Sequence, residues 1–360
     1  MFGLFLTASF VMPLVAHRPL ESLERIRAEG QEVLEVARAE HQDIRELHIG
    51  LLNMMPDGAL RATERQFLRL IGSCNRIAQF YVHIFSIDGI PRSEATRAYI
   101  AQHYERFDDV AAHGLDGLII TGTNPIHADL RDEPYLQEML RVFAWADENV
   151  ASVLCSCLAS HAAFQHFHGI GRQPLTQKCF GVFPHRVLDR KHPLLSNINT
   201  RFDMPHSRRN EVSASTLQAH GLPVLVAGMD GSVALATSKD GFRHVYLQGH
   251  PEYDQLSLLK EYKRDLLAYA RGESAQKPHL PENYLSDEAQ ALLDDYIQNG
   301  FPDTPFPYPE LSELIDNTWR DTAKAIFANW LGLIYQLTHH DRTRQYMDGV
   351  DPANPLGWLK

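Results

Sequence analysis

Two cysteines one residue apart, Cys155 and Cys157, sit in "ASVLCSCLASHAAF", between a run of small and branched apolar residues and an alanine-rich, helix-favouring segment. A thiol placed at a strand-to-helix turn is exposed, and it meets backbone N–H groups and a helix N-terminus that favour its thiolate. If the strand ends near Cys155 and Ser156, Cys157 takes the turn and is the nucleophile, while Cys155 stays buried on the strand and inert. The ordinary alternative is a pair of core cysteines, because free cysteine is among the most buried residue types. A cysteine nucleophile needs a base, and the base needs an orienting acceptor. The stretch "YLQGHPEYD" offers both: His250 to take a proton and Glu252 to hold its other ring nitrogen, straight after a short strand that ends at Gly249. Such a set performs thiol acyl transfer or hydrolysis.

These side chains need a scaffold that brings them to one edge. "LHIGLLNMM", "YVHIFSI", "DGLIITG" and "ASVLCS" read as buried strands, and "ATERQFLRLIG", "DEPYLQEMLRVFAWADEN" and "CLASHAAFQHFHG" as helices between and after them. Strands alternating with helices predict an α/β fold: a parallel sheet with helices on both faces, whose ligands bind at the carboxyl edge of the strands. In the second half "KCFGVFPHRVL", "LPVLVAGM", "VALATS" and "HVYLQGH" are short and separated by turns, which predicts an antiparallel extension. Residues 272–315 are rich in Pro, Asp and Glu and read as an irregular excursion. "AKAIFANWLGLIYQL" reads as a late amphipathic helix that docks back. The expected division is an N-terminal extension over 1–45, one domain over 46–340 and a C-terminal tail over 341–360.

Composition narrows the partners. A net charge of −11, from 34 basic and 45 acidic residues, argues against a nucleic acid or an anionic membrane as partner. The cysteines are Cys74, Cys155, Cys157 and Cys179; no CxxC pair occurs, no metal site is expected, and the chain reads as a reduced, cytoplasmic protein. The opening "MFGLFLTASFVMPLVAH" is apolar but short and lacks the basic start of a secretory signal. It reads as an upstream start, with Met12 as the alternative.

The cysteine elbow followed by HPE resembles the Cys-His-Glu triad of class I glutamine amidotransferases, although Cys155 and Ala159 stand where that family's Gly-x-Cys-x-Gly has glycines. A more extended resemblance is to homoserine O-acyltransferases of the amidotransferase-like type. It is carried by "LLNMMPDGALRATERQFLRLI" with Asn53, Met55, Pro56, Thr63 and Glu64, then by "DGLIITG", "KCFGVF", "MPHSRR", "GHPEYD" with "EYKRD", and "NWLGLIYQLT" in the family's order. It spans about residues 46–340. The resemblance implies a class I glutamine amidotransferase-like, flavodoxin-like fold and transfer of an acyl group from acyl-CoA to the γ-hydroxyl of L-homoserine, in methionine biosynthesis. It implies a homodimer and no cofactor, acyl-CoA being a substrate.

By matching positions, Cys157 would carry the acyl group, His250 would be the base and Glu252 its partner, and Lys178, Ser207 and Arg264 would bind substrate. Arg264 on a helix starting near Asp254 would be a fork for the homoserine carboxylate. Its ordinary alternative is an i,i+3 surface pair with Glu261. Lys178 reads equally as an exposed strand-end lysine, and Ser207 as a turn cap. His206, Arg208 and Arg209 make the segment around Ser207 locally basic, which suits an anionic substrate. The backbone N–H of Leu158, and one from "TGTNPIHAD", would hold the oxyanion. In the family a position in that loop discriminates the donor, glycine going with succinyl-CoA and glutamate with acetyl-CoA; Ile126 stands there. Isoleucine lacks the carboxylate that would repel succinate, so succinyl transfer is expected, with acetyl transfer as the alternative. The competing readings are a glutamine amidotransferase-type thiol hydrolase, which would need a synthetase partner, and a redox-sensing relative, which would need no HPE base.

Overall fold

The computed structural model describes residues 14–40, 44–74 and 78–359; the reading of residues 1–13 as an upstream start lies outside them. In chain order the first half runs β1 (Leu14–Ala16), α1 (Glu21–Ala28), β2 (Val33–Glu35), α2 (Val36–Ala39), β3 (Glu46–Leu52), α3 (Asp57–Gly72), β4 (Gln79–Phe85), α4 (Glu94–His103), α5 (Phe107–His113), β5 (Gly117–Ile120), α6 (Leu136–Asn149) and β6 (Ser152–Ser156). The second half runs α7 (Leu158–His168), β7 (Gln173–Val187), β8 (Arg201–Glu211), α8 (Ala214–Ala219), β9 (Val224–Gly228), β10 (Val233–Thr237), β11 (His244–Leu247), α9 (Ser257–Ala270), α10 (Asp287–Asn299), α11 (Tyr308–Leu314) and α12 (Arg320–Leu337). The described residues form two compact units: one takes in those up to Leu154 and resumes at Lys324, the other is Cys155–Ala323.

In the first unit the strand order is β2-β1-β4-β3-β5-β6. Strand β3 pairs in parallel with β4 and β5, and β1 pairs in parallel with β2 and β4. Strands β3, β4 and β5 are near-continuous apolar runs and almost wholly buried, as parallel strands covered on both faces must be. The N-terminal residues are thus not a mere extension, since β1 and β2 add to the edge of this sheet. The two ends of the "LLNMMPDGALRATE" signature, Leu51–Met54 and Thr63–Glu64, are buried. Glu64 is fully buried and accepts from Tyr104 at 2.9 Å and from Tyr99, while Asn53 donates to the Leu60 carbonyl and to Tyr104 at 3.0 Å. Helix α12 docks as expected: Trp330 is buried and donates to Ser152 Oγ at 2.9 Å.

In the second unit the strand order is β11-β10-β9-β7-β8, and the pairings along it are antiparallel, as the short strands predicted. The excursion at 272–315 is a correction, for it contains α10 and α11. Its Pro and acidic residues serve as helix starts: Ser286 Oγ accepts from the Ala289 N–H, Asp287 and Glu288 fill the first turn of α10, and a proline opens α11. Leu293 of α10 and Leu311 of α11, with Phe306 and Trp319 from the connecting segments, pack in one cluster with Leu258, Leu259, Tyr262 and Leu266 of α9. The excursion also reaches β7, where Glu282 bridges Gly181, giving and taking backbone bonds of 2.9 Å with Phe180 and Val182. A Cβ at Gly181 would fall 2.3 Å from the Glu282 carbonyl oxygen, so only glycine lets the two backbones meet.

Candidate active site

Strand β6 is SVLCS, buried along its length, and α7 begins at Leu158. Cys157 lies between them at φ 54° and ψ −115°, a positive-φ conformation that non-glycine residues adopt only under constraint. That kink turns its side chain off the strand: Cys157 is half-buried while Cys155 is fully buried. Burial pushes the Cys155 thiol well above the usual range, so it has no thiolate to offer. The core-cysteine alternative holds for Cys155 alone.

A single backbone bond ties the Cys157 elbow to the strand that leads to His250. The Cys157 N–H donates to the Leu247 carbonyl at the end of β11, at 2.7 Å. The chain leaving β11 continues through Gln248 and Gly249 to His250, whose N–H donates to the Pro205 carbonyl on β8 at 2.8 Å. Gly249 is needed for passage: a Cβ there would lie 2.4 Å from Met204 Sδ and 3.2 Å from His206 Cε1.

His250 Nδ1 meets Glu252 Oε1 at 2.8 Å, and both residues are buried. Nε2 of the imidazole is buried with no fixed hydrogen-bond partner among the described residues, and Cys157 interacts with the ring. Burial alone would lower the pKa of His250, but the charges of Glu252 and of Cys157 outweigh it, and the pKa ends well above the ordinary histidine value. The imidazole is therefore held toward its protonated form. Tyr253 stacks on the ring at 4.3 Å and 19°, and its carbonyl is fixed by Trp319 Nε1 at 2.8 Å. The Leu158 N–H is the first of α7, among those that have no intrahelical acceptor, and it follows Cys157 directly.

The three expected substrate-binding residues converge, and what gathers them is a carboxylate that sequence reasoning treated only as a surface partner. Glu261 on α9 accepts from Ser207 Oγ at 2.6 Å and from the Tyr253 hydroxyl, and it lies 3.5 Å from Lys178 Nζ and 3.7 Å from Arg264 Nη2. Lys178 also reaches Asp265 at 3.2 Å and lies over the Phe180 ring, so it is not an exposed strand-end lysine. Arg264 makes the i,i+3 contact with Glu261 and a closer one, 2.8 Å, to Asp265, while its side chain stays 53% exposed. Glu261 was legible only as the first residue of "EYKRD"; its partners Lys178 and Ser207 come from β7 and β8.

The expected basic patch around Ser207 is a correction. Strand alternation turns His206 and Arg208 inward, where Arg208 pairs with Glu211 at 3.0 Å and donates to His206 Nδ1, and only Arg209 is exposed. Ile126 is in the first unit, in the loop after β5, and is 62% exposed.

Residues 13–340 match the sequence profile of a family described as homoserine O-succinyltransferase. A homoserine O-succinyltransferase of Cardiobacterium hominis is 66% identical over 349 residues, covering 97% of this chain and 100% of that protein. One from Methylobacter tundripaludum is 55% identical over 353 residues, covering 96% of this chain and 100% of that protein. Among solved structures, a glutamine amidotransferase from Thermotoga maritima aligns over 82% of this chain and 99% of its own at 10% identity, with a TM-score of 0.43. The profile match runs through the cysteine elbow, the HPE turn and the helix bearing Glu261 and Arg264, and with relatives this similar along nearly the whole length, the chain belongs to the homoserine O-succinyltransferase family.

Proposed function

We propose that this protein transfers the succinyl group of succinyl-CoA to the γ-hydroxyl of L-homoserine through a thioester on Cys157. The observation that carries the mechanism is the backbone bond from the Cys157 N–H to the end of β11, which sets the elbow beside the His250–Glu252 pair. The Cys157 thiolate attacks the thioester carbonyl, and the charge that develops on oxygen is met by the Leu158 N–H. As the tetrahedral adduct collapses, the His250 imidazolium gives its proton to the departing CoA thiolate. The neutral imidazole then takes the proton of the homoserine hydroxyl as that oxygen attacks the acyl-enzyme, and Glu252 stabilises the imidazolium each time it forms. No cofactor enters this sequence.

Lys178, Ser207 and Arg264 bind homoserine in this reading, with Arg264 exchanging its contacts to Glu261 and Asp265 for the substrate carboxylate. Ile126 selects the donor. The reading includes a homodimer and a cytoplasmic setting, where Cys157 stays a thiol. Among the described residues no helix is long and apolar enough to cross a membrane. Incubation with succinyl-CoA alone, followed by intact-mass and peptide analysis, should find succinyl on Cys157, and homoserine should discharge it. Absence of the adduct in an enzyme that turns over would replace the thioester with direct transfer.

A further inference from the structure

The first unit holds a group of side chains that the proposed reaction does not use. His17 follows β1, His83 lies within β4, and Glu105 follows α4, and their ligand atoms all lie within 4.8 Å of one another. Glu105 Oε1 is 3.5 Å from His17 Nε2 and 3.0 Å from His83 Nδ1, with Oε2 at 3.2 Å from the latter. Donors about 2.0–2.1 Å from a tetrahedral zinc ion are separated by about 3.4 Å, so the two spacings to Glu105 suit one ion, and side-chain rotation would bring the two imidazoles to it.

The outward ring nitrogens are also prepared. His17 Nδ1 lies 3.3 Å from the Val15 carbonyl, an acceptor that suits a proton on Nδ1 and leaves Nε2 facing Glu105. His83 Nε2 meets His48 Nδ1 at 2.8 Å, and His48 Nε2 meets Glu46 at 3.3 Å. In the metal-free protein His83 Nδ1 hydrogen-bonds the Glu105 carboxylate, and a bound ion would displace the proton between them.

We propose that His17, His83 and Glu105 form a binding site for one divalent transition-metal ion of the zinc class, which ties the N-terminal strand to the sheet. Two imidazoles and a carboxylate are donors of the right softness for zinc and its neighbours. The backbone holds each donor in place: His83 is inside β4, the Glu105 N–H donates to the Ile84 carbonyl at 2.8 Å, and the His17 N–H donates to the Val15 carbonyl at 3.0 Å. With side chains 16%, 11% and 10% exposed, the site is shielded yet open to an ion. Strand β1 lies beside β4, with Leu14 opposite Phe80, so an ion held by His17 and His83 would cross-link the two strands. The competitor is Arg18, whose Nε is 3.6 Å from Glu105 Oε1.

The full-length protein is loaded with zinc or cobalt, dialysed against metal-free buffer and assayed for bound ion, for cobalt visible absorption and for thermal unfolding. One retained ion per chain is expected, with a rise in Tm. His17→Ala, His83→Ala and the isosteric Glu105→Gln should each lose both, and Arg18→Ala should bind more tightly. The exposed pair His339 and His340, whose rings are 4.0 Å apart, is the natural site of adventitious binding, and replacing both by Ala should leave retention unchanged. Equal retention by wild type and Glu105→Gln, or by wild type and His17→Ala, would mean an adventitious ion only and overturn the proposal, as would a wild type that retains none.

Discussion

Replacing Glu252 by glutamine removes one charge from the buried pair and leaves an acceptor of nearly the same shape. Nδ1 and Oε1 are 2.8 Å apart. Both charges are delocalised, so their centres lie farther apart, and at about 4 Å with an effective dielectric of about 20 the attraction is about 4 kcal/mol. A neutral hydrogen bond through the amide oxygen retains roughly 1 kcal/mol of that. The imidazolium thus loses roughly 3 kcal/mol of support, and steps that form it slow by about a hundredfold. The sign of the pH effect follows from the same charge. Glu252 helps to hold the His250 pKa well above its ordinary value, so the glutamine variant loses the proton at lower pH. Exchange of labelled CoA into succinyl-CoA without homoserine needs that proton for the leaving thiolate, so its alkaline limb should move to lower pH. The assay is exchange rate against pH for both proteins, with Tm measured alongside. A hundredfold loss with an unmoved alkaline limb would show that Glu252 acts only structurally, and an unchanged rate would remove it from the mechanism.

Cys157→Ala should abolish transfer while Cys155→Ala keeps most of it, measured as CoA release with homoserine; the reverse result would mean that the elbow is set by the wrong cysteine. Ile126→Glu should lower kcat/KM for succinyl-CoA more than for acetyl-CoA, because only the succinyl chain ends in a charge; an unchanged ratio of the two would remove Ile126 from donor selection. Gly249→Ala places a carbon 2.4 Å from Met204 Sδ and should cost about 1–3 kcal/mol by overpacking, read as a lower Tm. An unshifted Tm would show that Met204 swings aside freely.

What could be read from the sequence was what period and punctuation encode locally. Cys157 was legible because an apolar strand and an alanine-rich helix leave one residue for the turn, and HPE because it follows a strand end. Glu261 was legible only as a neighbour of Arg264. Its link to Arg264 is one helical turn away, but those to Lys178 and Ser207 depend on β7 and β8 reaching α9, which no local pattern states. Residues 272–315 misled because proline and acidic residues mark both loops and helix first turns; Leu293, Leu311 and Trp319, spread far apart in sequence, are what close the cluster around α9. The inward turn of Arg208 was hidden for a similar reason, since a basic run reads as a surface until its strand register is known.

The backbone at Cys157 carries a consequence for how this protein can change over generations. Its φ of 54° with ψ of −115° is a conformation that glycine reaches at little cost and that holds a side chain under strain of roughly 1–3 kcal/mol. Selection for heat tolerance and selection for growth on the reaction product therefore pull this one codon in opposite directions. In a library of variants screened only for surviving heat, with product supplied in the medium, glycine at position 157 should become enriched. Under demand for the product it should vanish, so the ratio of the two frequencies would measure how strongly a population depends on this enzyme.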